Sequence, residues 1–235
     1  MRGRHIRVAE QACIWVFTNI DVSVTDTMVI ASHPDDAEIG AYGLYAQNPN
    51  NSVLTITAGD GSPNPYHNLY DNSLDAYHKK SKLRVWDSIT VPLQAGLSAN
   101  NLLNLGFFDG TLAHLYQQRH TDVRVKSQQT GVDSVMAYRQ HNLSTLNALL
   151  PQGNDWASLV ECFKILLQQL KPAIIVSPYS AIDGHSDHKY STVALFEAIK
   201  QLDLRTGRLF LYTNHALHKL PLRRQAQTDI VTPQL

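Results

Sequence analysis

The chain has 235 residues, 43% of them hydrophobic and 17% charged, and its 20 basic and 20 acidic side chains cancel to zero net charge. This length supplies a full hydrophobic core, and the composition predicts a soluble globular protein rather than a disordered one. A neutral balance without a basic stripe argues against a nucleic-acid partner, and no run approaches the ~20 apolar residues of a membrane span.

The N-terminus carries Arg2, Arg4 and Arg7 ahead of a short apolar stretch at 12–17. Glu10 lies just before that stretch and no small-x-small cleavage site follows, so a cytoplasmic location is expected. Residues 27–31 form a compact apolar run of the kind buried on both faces of a parallel sheet. Ser32 and His33 end it, and Pro34 suits the turn into a helix over 37–47. The breakers Asn48, Pro49, Asn50 and Asn51 separate that helix from a second strand at 53–57. A Gly- and Pro-laden loop beginning at Ala58 then runs to about Tyr70. A helix over 74–89 follows, with Leu74, Tyr77, Leu83 and Trp86 as candidate core positions. A third strand at 102–105 is expected to stop at Gly106.

Residues 111–150 are mostly polar and helix-compatible, and read as an insertion or cap over the sheet edge. A stronger helix over 154–170 places Trp156, Leu159, Val160, Phe163, Leu166, Leu167 and Leu170 near 3.6 spacing. Lys171 and Pro172 end it before a strand at 173–177. A helix over 187–201 carries Val193, Leu195, Phe196 and Ile199. A fifth strand falls at 209–212, and the tail after Leu220 is polar. Cys13 and Cys162 lack metal-finger spacing and sit among apolar neighbours, as buried free thiols do. Alternating strands and helices predict an α/β fold: a Rossmann-like, mostly parallel sheet flanked by helices, in a single domain over 1–235 with its core at 27–212. Ligands bind such sheets beyond the carboxyl ends of the strands.

Two motifs fall at those ends. The first is His33-Pro34-Asp35-Asp36-Ala37-Glu38, and the second is Gly184-His185-Ser186-Asp187-His188. A histidine and a carboxylate from the first, with a histidine from the second, would give three ligands to one divalent metal and leave a position open for water. Adjacent Asp35 and Asp36 should diverge, so that one faces the metal and its neighbour the water. Helix capping is the plainer role for both. Of His185 and His188, three apart, one could bind metal while the other reaches a substrate carbonyl.

These residues resemble the PIG-L/LmbE-like family of zinc-dependent deacetylases, which remove the N-acetyl group from N-acetylglucosamine-containing conjugates. The likeness extends through Thr57-Ala58-Gly59-Asp60 and Leu105-Gly106-Phe107-Phe108-Asp109-Gly110, and covers roughly residues 27–212. It implies one divalent ion, zinc or else iron(II), on His33, Asp36 and His188. It further implies Asp35 as general base, His185 as oxyanion stabiliser or acid, Asp187 as the group orienting His185, and Asp109 as a contact to sugar hydroxyls. Three departures stand out. Ser186 replaces a proline, Tyr42 adds bulk in a glycine-rich stretch, and 77–82 lacks the family's Arg-x-x-Glu pair, although Lys79, Lys80 or Arg84 could supply positive charge.

Tyr179, Asp183 and His67 are further polar groups on loops near the expected site. The segment at 111–150, with Arg119, His120, Arg124 and Tyr138, is the expected place for substrate selection or for the contacts of a homo-oligomer. Two rival readings are a metal-dependent hydrolase of another amide or ester, and a non-catalytic carbohydrate-binding relative.

Overall fold

The computed structural model describes residues 21–61, 68–70, 72–121, 124–205 and 207–215. Cys13, His67, the apolar stretch at 12–17 and the tail after Leu220 lie outside the described residues. Five strands form one parallel sheet: β1 (Thr27–Ala31), β2 (Ser52–Thr57), β3 (Leu102–Phe107), β4 (Ile174–Pro178) and β5 (Arg208–Tyr212), in the order β3-β2-β1-β4-β5. The helices are α1 (Asp36–Tyr45), α2 (Ser73–Gln94), α3 (Leu112–Gln117), α4 (Met136–Arg139), α5 (Trp156–Leu170) and α6 (Ser186–Gln201). This is the expected Rossmann-like α/β architecture. No helix among the described residues is long and apolar enough to cross a membrane.

Alternation along the strands builds two apolar layers. Met28 and Ile30 face Leu159, Phe163 and Leu195 of α5 and α6, whereas Val29 and Ala31 face Ala37, Ala41 and Tyr45 of α1. Strand order reverses between β1 and β4, and in open α/β sheets that reversal opens a crevice at the carboxyl ends. Both motifs begin within a few residues of those ends.

Three expectations change. Helix α2 runs five residues beyond 89 and passes Pro92, and it buries a different stripe. Ala76, Lys80, Ser81, Val85, Ser88, Ile89 and Pro92 face inward, while Leu74, Leu83 and Trp86 are exposed. The large apolar residues misled because packing here favours small and polar side chains beside the sheet. Strand β3 does not stop at Gly106 but continues to Phe107. Gly106 has φ +71, at a register irregularity between Thr55 and Thr57, and a Cβ there would lie 2.5 Å from the Val135 carbonyl oxygen. On α6, Leu195 is buried but Phe196 is exposed.

Within 111–150, α4 packs on the edge strand β3. Arg139 is fully buried there, donating from Nε to the Leu105 carbonyl at 2.6 Å and from its guanidinium to the Pro151 carbonyl and Cys162 Sγ. Cys162 is a buried free thiol. Tyr138 is buried and its hydroxyl lies 3.2 Å from Thr130 Oγ1, whereas Arg119 stacks on the Tyr116 ring.

Candidate metal centre

The turn after β1 is fixed before any ligand enters. The Ser32 carbonyl accepts from the Thr57 N–H and hydroxyl, which ties the end of β1 to β2. Asp36 opens α1, and its Oδ2 accepts the His33 backbone N–H at 2.8 Å. Asp35, at the N-cap position, makes no side-chain cap bond; its carboxylate lies 3.1 Å from the Arg84 guanidinium. The two adjacent carboxylates therefore point to different partners. After β4, His185 takes the N-cap position of α6 and accepts the Asp187 N–H on Nδ1 at 3.2 Å. His188 follows in the first turn, fully buried.

His33 Nδ1, Asp36 Oδ2 and His188 Nε2 form a triangle with edges of 3.0, 3.2 and 3.3 Å. Donors at tetrahedral positions about 2.0–2.1 Å from a zinc ion stand about 3.3–3.4 Å apart, so the triangle matches one face of such a site. The tautomers follow from the outer partners. His188 donates Nδ1–H to Asp183 Oδ2 at 2.9 Å, which leaves a lone pair on Nε2. His33 Nε2 lies 3.3 Å from Asp187 Oδ2 and 3.2 Å from Asp109 Oδ1, so it carries the proton and leaves a lone pair on Nδ1. With both rings neutral, three lone pairs converge on one point, and a cation fits that arrangement. Carboxylates behind ligating histidines fix ring orientation and raise basicity in the same way.

The electrostatics favour positive charge at this point, whether a proton on the rings or a bound cation. Burial alone would lower the His33 and His188 pKa values, but the carboxylates of Asp109, Asp187 and Asp36 raise the first, and those of Asp36 and Asp183 raise the second. Burial would raise Asp36, yet the two imidazoles hold it far below the usual carboxylate range. His185 is lowered by burial and by the charge of His33, which favours its neutral form. With Nδ1 accepting a backbone N–H, neutral His185 carries its proton on Nε2.

The surroundings differ from expectation in several places. The Asp187 carboxylate has its hydrogen-bond partners elsewhere than on the His185 ring. It accepts the N–H groups of Gly110 at 2.6 Å and Leu112 at 3.2 Å and anchors His33. The Asp187 N–H donates to His185 Nδ1, and the carboxylate charge acts on that ring to raise its pKa against the larger lowering by burial and His33. Asp109 meets His33 and lies close against Gly61, where an added Cβ would stand 2.8 Å from its Cγ. Lys80, almost fully buried, donates to the Gly61 carbonyl, so positive charge sits beside Asp109. Tyr42 is exposed and packs edge-on against Tyr45, so it adds no bulk at the centre. The Tyr179 N–H donates to the Tyr212 carbonyl at 2.6 Å.

Asp183, named beforehand only as a loop residue, proves central. Its Oδ2 accepts from His188 Nδ1, the Thr213 hydroxyl and the N–H groups of Asn214 and His215. Asn214 also donates from Nδ2 to Asp36 Oδ1 at 2.9 Å. Asn214 and His215 were missed altogether, although their position just past the carboxyl end of a parallel strand was a usable signal. Among the described residues, ligand atoms within 4.8 Å of one another are offered by His33, His185 and His188, by Asp36, His188 and His215, and by His33, Asp109 and Asp187.

Buried histidines and a carboxylate at the switch point of a parallel sheet define an α/β protein with a centre suited to a divalent cation. Residues 28–199 match the family model PIG-L, described as GlcNAc-PI de-N-acetylase. The match spans most of the chain, and the protein belongs to the PIG-L family. None of the curated proteins matches it.

Proposed function

We propose that this protein is a metal-dependent N-deacetylase that releases acetate from an N-acetylglucosamine-type conjugate. The observation that carries the reading is the convergence of three lone pairs, from His33, Asp36 and His188, beside a fourth ring whose remaining N–H is free to meet an acyl oxygen. Membership of a de-N-acetylase family supports the reaction class. Two imidazoles and a carboxylate suit zinc, with iron(II) as the alternative.

When bound, the cation supplies Lewis acidity and lowers the pKa of a coordinated water to about 7. Asp35 takes the proton from the attacking water as general base. His185 donates Nε2–H to the oxyanion that forms as the carbonyl becomes tetrahedral, a contribution of about 3–4 kcal/mol for a well-placed donor. The C–N bond then breaks, Asp35 returns its proton to the departing amine, and acetate leaves. Arg84 holds Asp35 at the rim through the 3.1 Å contact. Asp109, with Lys80 behind it, is the contact for sugar hydroxyls.

Acetate release from a panel of N-acetylhexosamine conjugates, run beside simple esters and phosphoesters, tests the proposal. Activity on the amides should vanish on chelation and return with zinc. Esters or phosphoesters turned over in preference to every acetylated sugar would replace this reading with that of another metal hydrolase.

A further inference from the structure

The role of His215 is assigned by nothing in the motifs, and its position is informative. One of its nitrogens lies within 4.8 Å of the ligand atoms of Asp36 and His188, two of the three converging donors. Its ring stands 5.0 Å from that of His188 and 5.6 Å from that of His185. Its backbone is held by the same groups that build the centre. The N–H groups of Asn214 and His215 both reach Asp183 Oδ2, and Asn214 Nδ2 reaches Asp36 Oδ1. The segment after β5 is thus tied to both carboxylates that flank His188. Burial separates the rings: His33 is 8% exposed and His188 0%, whereas His215 is exposed.

We propose that His215 is a fourth protein donor to the cation held by His33, Asp36 and His188, and an exchangeable one that substrate displaces. This rests on the metal centre of the proposed function and deepens it. Three buried donors, each braced by hydrogen bonds, form the permanent set. The fourth lies on an exposed ring whose backbone is anchored but whose side chain can swing, so it can fill the open position at rest and yield it to an acyl group. A neutral imidazole does this without changing the charge of the site.

The test reads the metal rather than turnover. Full-length protein, His215→Ala and His215→Gln are loaded with Co2+ for absorption spectroscopy and with Zn2+ for competition against a chelator. Every backbone bond of residue 215 survives these substitutions, so the ring alone is removed. We expect His215→Ala to weaken metal retention roughly 10- to 100-fold, as loss of a group supporting a metal site does. Its Co2+ spectrum should shift and return on adding free imidazole, and acetate added to the wild type should give the same shift. Retention and spectrum both unchanged in His215→Ala overturn the proposal, and a wild-type spectrum unmoved by acetate overturns the exchange. Failure here leaves the deacetylase assay untouched, and an inactive but normally metallated protein leaves this inference standing.

Discussion

His188 Nδ1 lies 2.9 Å from Asp183 Oδ2, and that contact decides which nitrogen of the ring faces His33 and Asp36. The same oxygen receives the chain after β5, so one carboxylate sets a tautomer and closes a loop.

Replacing Asp183 by alanine should therefore cost both functions. We expect roughly 10- to 100-fold weaker metal binding, the usual effect of losing an outer-shell partner, measured by chelator competition. Unchanged affinity would show that His188 needs no brace.

Asp35→Asn should keep its metal and lose turnover by about 10²–10⁴-fold, the range for general acid-base assistance. Parallel metal analysis and acetate assays check this. A variant as active as the wild type would remove Asp35 from the mechanism.

Proton uptake gives a pH signature. His33 and His188 have folded pKa values raised above the unfolded value of about 6.5, so their stabilisation is complete below about 6.5 and disappears as pH rises through the folded values. Asp36 is depressed, so its contribution is present above the unfolded value of about 3.9 and is lost as pH falls towards the folded one. Metal-free protein should melt highest between these limits and lose stability on the alkaline side. Metal competes with the same protons, so the rise in Tm on adding zinc should widen with pH. A metal-free Tm that stays flat from pH 5.5 to 8.5 would contradict the assignment.

Gly106→Ala should destabilise the fold by about 2 kcal/mol or more, because φ +71 is strained for any side chain and the new Cβ would meet the Val135 carbonyl. Urea unfolding measures it, and a loss below about 0.5 kcal/mol would mean that the α4 segment moves aside freely.

How much was readable in advance depended on the range of the forces involved. Strands at 27–31 and 173–177 stand out because a segment buried on both faces must be apolar throughout, which is a local property of sequence. Helix α5 is legible for the same reason, since one stripe of large apolar residues faces the sheet. Helix α2 is not, because Lys80 and Ser81 are buried by polar partners brought from Gly61 and from within the helix itself. Pro92, normally a stop signal, is carried inside it.

The site divides along the same line. His33, Asp35, Asp36, His185 and His188 are visible because each motif is contiguous, and adjacency in the chain ensures adjacency in space. The distant partners of Asp187 and Asp183 carry no such guarantee, since they lie 75–77 and 30–32 residues away at Gly110 and Leu112 and at Thr213, Asn214 and His215. By itself the sequence determined the alternation of strands and helices and the donor types offered at two loops. Tertiary structure alone decided which ring nitrogens carry protons, which carboxylates stand behind them, and that a third loop after β5 joins the centre. Hydrogen-bond partners fix a tautomer, and those partners meet only when the parallel sheet aligns its carboxyl ends.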